Sequence, residues 1–244
     1  MADQTCNAMV IGHSYVRRLH VYLQRHNIMN LRLDNDKFQV SLRGNGGLCL
    51  RHIRFNANIL HFDTTPDICF MQIGENDISP RSEPGKISED IFSLACYLRD
   101  GVGVKKVIVG QLLRRLPYAS CPQFNEMVQS VNHLLKEKLS DVQGIVFWPH
   151  RGFWKSLSYI DPDGVHLLCT QANHQPLRKF LRSIRNAIII NSKDLSKHDK
   201  GQSHFKEATI FTPACSKEVQ PSQCNTTQPV CGTRACRVDT HHRL

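Results

Sequence analysis

The chain has 244 residues, 41% of them hydrophobic, and a formal charge of +10 from 31 Lys plus Arg against 21 Asp plus Glu. That is apolar material for one substantial core, and no uninterrupted apolar run approaches the roughly 18 residues that a membrane-spanning helix needs. Residues 1–190 hold 23 basic and 16 acidic side chains and residues 191–244 hold 8 and 5, so the positive excess is spread out and implies no more than weak contact with nucleic acid or another polyanion through a basic surface.

Met1 to Gly12 contains an acidic residue, no basic cluster and a short apolar run. It does not read as a secretory leader, so the expected compartment is the cytoplasm or nucleus. Asn7 to Gly12 reads as a short buried strand stopped by glycine, and Val16, Leu19 and Leu23 then fall on one face of a helix, with Ser14 at the turn between them. Lys37 to Leu42 alternates as a second strand, and Leu50, Ile53, Ala57 and Leu60 mark a helix after Gly47. Asp67 to Ile73 is a third strand. Ile87, Ile91, Leu94, Ala95 and Leu98 mark a helix over Lys86 to Arg99, ended by Gly101 and Gly103. Val104 to Leu113 predicts a fourth strand, Phe124 to Leu139 a further helix, and Ile145 to Trp148 the last strand. A long loop with His150 and Trp154 follows, and Pro176 is expected as the first residue of a final helix that closes the domain near residue 190.

Continuous apolar strands alternating with amphipathic helices predict a central parallel sheet covered on both faces, a three-layer α/β/α sandwich over residues 1–190. Residues 191–244 turn to Lys, Ser, Thr, Gln, Pro and Cys with little periodicity, a composition expected to be disordered. Of the ten cysteines, Cys6, Cys49, Cys69, Cys96, Cys121 and Cys169 are scattered without paired spacing and read as free thiols. The tail cysteines Cys215, Cys224, Cys231 and Cys236, with His241 and His242, lack the close Cys pair that preorganises zinc. Asn225-Thr226-Thr227 is a glycosylation sequon, relevant to a secreted chain alone. No metal or organic cofactor is expected.

Four stretches carry residue types suited to acyl transfer: Gly12-His13-Ser14, Gly46-Gly47, Gly74-Glu75-Asn76-Asp77 and Asp163-Gly164-Val165-His166. At the carboxyl end of a parallel strand a serine has its hydroxyl in the crevice and its amide at a helix N-terminus, although Ser14 taken alone also fits a helix cap. Gly46-Gly47 and Gly74-Glu75-Asn76 follow the second and third strands, where they serve as simple turns or as donors: a glycine amide lies open, and the Asn76 amide is neutral at every pH. Asp163 and His166 are three residues apart, so that one turn can hold an imidazole by a carboxylate and fix its tautomer, or can be an ordinary Asp-Gly turn with an incidental histidine.

Together these stretches resemble the signature blocks of the SGNH, or GDSL-type, hydrolase family over residues 7 to about 190. Ser14 matches the nucleophile of the first block, Gly47 the oxyanion glycine of the second, Asn76 the asparagine of the third, and Asp163 and His166 the Asp-x-x-His pair of the last. The family usually has aspartate before the nucleophile, and this chain has His13, while Gly12 is kept. The resemblance implies a flavodoxin-like sandwich and hydrolysis of small-molecule, glycan or lipid esters by a Ser14, Asp163, His166 triad, with the oxyanion met by Ser14, Gly47 and Asn76. An α/β-hydrolase would want Gly-x-Ser-x-Gly, and a nucleotide binder a phosphate-cradling loop; neither is present around Ser14. Related domains also occur in polyproteins of mobile elements, and His13 together with the +10 charge motivates the second expectation: a weakly active or inactive module of this fold, derived from such an element, that binds nucleic acid or a glycan. The acyl group, the alcohol and the oligomeric state are left open by the sequence.

Overall fold

A computed structural model describes residues 5–53 and 57–198 of the chain. Five parallel strands form one sheet in the order β2-β1-β3-β4-β5, with β1 Cys6–Gly12, β2 Phe38–Gly44, β3 Ile68–Gln72, β4 Lys106–Gly110 and β5 Ile145–Trp148. The helices are α1 Ser14–Arg25, α2 Leu50–Ile53, α3 Ala57–Leu60, α4 Pro84–Cys96, α5 Phe124–Lys138 and α6 Gln175–His198. Alternate residues of the central strands feed two separate cores, as the two-residue period of a strand requires. Met9, Ile11, Cys69, Met71, Val107 and Val109 pack with α2 to α5 on one face. Ala8, Val10, Ile68, Phe70 and Ile108 pack with α1 and α6 on the other. The result is an α/β/α sandwich. Its strand order reverses between β1 and β3, from which the chain leaves toward opposite faces, so the crevice at their carboxyl ends is where this architecture places ligands.

Two elements differ from the sequence reading, each for a physical reason. The expected fourth strand stops at Gly110 rather than Leu113. Leu112 and Leu113 stay fully buried, but side chains take their backbone groups: Asn132 exchanges two hydrogen bonds with Leu112, at 2.8 and 3.0 Å, and Glu75 accepts from Leu113 N at 3.0 Å. An apolar run that bends onto side chains has the same pattern as a strand. The final helix begins one residue before Pro176 and continues to His198. Buried Asn191 donates to Ala187 O at 2.8 Å, and Leu195 extends the stripe of Ile184 and Ile188 onto the core. Of the expected helix over Leu50 to Leu60, α2 and α3 are helical on either side of residues 54–56, which lie outside the described residues. The expectations for tail disorder, the tail cysteines and histidines, and the sequon lie outside the described residues from 199 onward. Among the described residues the six remaining cysteines are free thiols, and no helix is long and apolar enough to cross a membrane.

Candidate active site

β1 ends at Gly12 because nothing larger fits: a Cβ there would lie 2.3 Å from Gln72 O on β3. The chain then turns at His13 into α1, whose first residue is Ser14. Ser14 is 6% exposed, at the carboxyl edge of the sheet beside the reversal of strand order. Gly44, at the end of β2, packs so closely on α1 that a Cβ would stand 2.1 Å from Arg17 N. That contact brings the following loop, with Gly47, alongside the start of the helix, and Asn45 N donates to Gly12 O at 3.0 Å. Gly47 has φ +71 and open space where a side chain would be, a conformation that glycine adopts without strain.

After β3, Gly74 turns at φ +122 under Ile91 and Leu112, and residues 75–77 form a single 3-10 turn. Asn76 Nδ2 donates to Leu48 O at 3.1 Å, and Arg115 Nη2 donates to Asn76 Oδ1 at 2.9 Å. The guanidinium thus fixes which end of the amide is the donor, leaving the second Nδ2 hydrogen for another acceptor. Arg115 is 7% exposed, with its Nε buried and unpartnered and its charge over the Phe124 ring at 4.9 Å. Asp77 accepts from Leu50 N at 3.0 and 3.2 Å and so ties this turn to α2. Burial raises its carboxyl from 3.8 to about 6, against the hydrogen bonds from Leu50 N.

The pair expected between Asp163 and His166 is formed. His166 Nδ1 lies 2.6 Å from Asp163 Oδ2, while Asp163 Oδ1 accepts from the amides of Val165 and His166, both at 2.9 Å. Partial burial pushes the Asp163 carboxyl up, but those amides and the His166 ring outweigh it and hold the group well below the usual carboxylate range. The loop is tied to α1: the Tyr15 hydroxyl donates to Val165 O at 2.8 Å, Arg18 Nη2 to Asp163 Oδ2 at 3.2 Å, and the Tyr15 and His166 rings meet edge to face at 6.4 Å. Among the described residues no hydrogen bond joins Ser14 Oγ to His166. What links them is α1: Ser14 directly precedes Tyr15, whose hydroxyl holds the loop that carries His166.

Beneath these residues runs a polar chain that sequence reasoning missed. His13 Nε2 lies 2.7 Å from Glu75 Oε2, both side chains fully buried. Glu75 Oε1 accepts from Gln72 Nε2 at 2.8 Å as well as from Leu113 N. Gln72 Oε1 faces His150 Nε2 at 2.8 Å, and His150 Nδ1 faces Ser183 Oγ at 2.8 Å, which accepts from Trp148 Nε1 at 3.0 Å. The amide of Gln72 sets the directions: its nitrogen serves Glu75, so its oxygen accepts from His150 Nε2–H, and Nδ1 accepts from Ser183. Burial raises the Glu75 carboxyl, but the His13 ring and the hydrogen bonds from His13 and Leu113 N win and bring it down from 4.5 to about 2. Burial lowers His150 from 6.5 to about 4. The signal for this chain was present in the sequence as Glu75 inside the Gly-Glu-Asn-Asp stretch, two strands away from the unusual His13. Among the described residues no three His, Cys, Asp or Glu side chains gather as metal ligands.

No protein-family model and no curated protein sequence matches the chain. Solved structures do match in fold. A GDSL-like lipase from Bacteroides thetaiotaomicron is 15% identical with a TM-score of 0.54, over 76% of this chain and 88% of that one. A carbohydrate esterase family 3 protein from Talaromyces cellulolyticus is 17% identical at 0.53, over 78% and 99%. A catalytic mutant of an acetylxylan esterase from Geobacillus stearothermophilus is 16% identical at 0.52, over 75% and 96%. The chain has the SGNH, or GDSL-type, hydrolase fold.

Proposed function

We propose that the protein hydrolyses carboxylic esters through Ser14. In this reading His166 Nε2 takes the proton from Ser14 Oγ as the oxygen attacks the ester carbonyl, and Asp163 holds Nδ1 and stabilises the imidazolium that forms. The tetrahedral oxyanion is met by the amides of Ser14 and Gly47 and by Asn76 Nδ2, and each such donor contributes about 100- to 1,000-fold in rate. The alcohol leaves with the proton from His166, giving an acyl-Ser14 ester. Water then attacks that ester with His166 again as base, releasing the acid and restoring the serine.

The observation that carries the reading is the Asp163–His166 pair at 2.6 Å on a loop fastened to the second residue of α1 through Tyr15. A surface Asp-Gly turn has no need of that fastening. Several fold neighbours are esterases of carbohydrate or acetylxylan, which makes acetyl esters the first substrates to try.

The test is labelling of the purified protein with a fluorophosphonate, alongside 4-nitrophenyl acetate hydrolysis, for the wild type and Ser14→Ala. Labelling and hydrolysis that vanish in a folded Ser14→Ala protein are expected. Hydrolysis retained by the variant refutes the mechanism. A folded wild type that neither labels nor turns over favours the alternative of a catalytically silent binding module, for which the absence of a Ser14–His166 hydrogen bond is the structural argument.

A further inference from the structure

Away from the Ser14 crevice, the connection after α1 and the face of α6 border a half-open cavity of about 240 Å³. Its lining is Ile28, Arg32, Gln175, Arg178, Leu181, Arg182 and Arg185. Four of these are arginines and none is acidic. Ser14 opens α1, whose twelve residues span about 18 Å, and Ile28 and Arg32 follow its far end. This is therefore a different place on the molecule from the candidate active site.

Arg178, Arg182 and Arg185 recur at the spacing of one helical face and cover about 10 Å of α6. Like charges four residues apart on a helix repel, so this row is unfavourable until something anionic joins it. Among the described residues no carboxylate pairs with any of the four arginines, and the Nε of Arg185 is buried without a hydrogen-bond partner. Arg32 reaches the cavity from a backbone in the left-handed region, φ +61, at the end of a run in which Asn30 and Leu31 are left-handed too. Asn30 holds that run by exchanging hydrogen bonds with β2, 2.7 Å to Phe38 O and 2.8 Å from Val40 N. A bend that Asn30 tolerates but Leu31 and Arg32 disfavour, clamped in place, delivers the fourth guanidinium to the same cavity as the other three.

We propose that this cavity is a second binding site, for a phosphate-bearing organic ligand. Guanidinium forks match phosphate oxygens two at a time and keep their charge at any working pH. The row on α6 is longer than one phosphate group, and Ile28 and Leu181 give the cavity apolar wall. The ligand accordingly carries either two phosphates or a phosphate next to an apolar moiety. Small organic phosphates and consecutive phosphates of a nucleic-acid strand share that chemistry.

Two probes separate those sources, both used on the full-length chain: inorganic pyrophosphate by calorimetry, and a labelled ten-nucleotide oligothymidylate by fluorescence anisotropy. The variants are Arg182→Ala, Arg182→Lys, which keeps the charge and loses the fork, and Lys136→Ala, an exposed charge removed from α5 as control. Arg182 is itself exposed, so its loss leaves the core intact. Wild type is expected to bind at least one probe, with Arg182→Ala weaker by about tenfold or more, Arg182→Lys intermediate and Lys136→Ala within about twofold. Binding of pyrophosphate alone supports the site and identifies a small phosphate; binding of the oligonucleotide alone supports it and identifies a strand. Equal weakening by Arg182→Ala and Lys136→Ala shows undirected charge attraction and overturns the proposal, as does a folded wild type that binds neither probe.

Discussion

Replacing His150 by glutamine removes a buried group whose proton uptake differs between the folded and unfolded chain, and the effect on stability can be worked through. His150 is 1% exposed, with Phe180, Phe70 and Phe153 at ring-centroid distances of 5.1, 5.9 and 6.0 Å. Burial lowers its pKa from 6.5 to about 4. Above pH 6.5 the ring is neutral in both states. Between pH 6.5 and about 4 the unfolded chain binds a proton that the folded chain refuses, so stability falls as pH falls, and the loss levels off below about 4. At 1.36 kcal/mol per pH unit that interval amounts to about 3 kcal/mol. Asp77 works the other way: burial raises it from 3.8 to about 6, so the folded state gains as pH drops through that range. Glu75, held down at about 2, and Asp163, also held low, add losses of their own below about pH 4.5, so the wild-type curve by itself is a sum of opposing contributions. The difference between wild type and His150→Gln isolates His150, because Asp77 is common to both. Urea unfolding at pH 7, 6, 5 and 4 should show the wild type's advantage shrinking by about 3 kcal/mol across the series. An advantage that stays constant from pH 7 to pH 4 refutes the assignment of His150 as a buried neutral ring.

The remaining predictions concern the crevice. Asp163→Asn keeps the shape of the side chain but removes its charge, and the kcat of ester hydrolysis should fall roughly 1,000- to 10,000-fold with the far-ultraviolet dichroism unchanged. Arg115→Met frees the Asn76 amide, so kcat should drop about 10- to 100-fold with KM nearly unchanged; a rise in KM at constant kcat would mean that the guanidinium binds substrate instead. Gly47→Ala meets no atom within 4 Å but keeps a left-handed φ of +71. It should destabilise the protein by about 1–2 kcal/mol, measured by thermal unfolding, and lower kcat as the loop relaxes.

The elements that the sequence revealed best are those in which periodicity and burial coincide. β1, β3 and β5 are largely apolar runs that stop at Gly12, at Gln72 and before Pro149, and α5 carries its stripe from Phe124 to Leu135. Boundaries failed where a side chain takes over backbone groups, as Asn132 does for Leu112 where the fourth strand stops, and where packing outruns composition, as Leu195 carries α6 along the core past its polar neighbours. At the site, the spacing of Asp163 and His166 was informative because their contact is local. The partners of His13 and Asn76 were not legible, since Glu75 and Arg115 reach them only through the sheet order, and no local pattern records which strand is neighbour to which. His150 was seen as a loop residue, yet its surroundings are α6 and β3.

The buried contact between His13 and Glu75 decides what an aspartate at position 13, as in the first-block pattern the sequence resembles, would do here. An aspartate placed at position 13 would stand across from Glu75, two fully buried carboxylates side by side, and one of them would have to hold a proton for the turn to survive. Position 13 therefore cannot be changed alone without cost. The turn at His13 and the turn after β3 act as one unit, and a substitution on either side has to be designed together with its partner on the other.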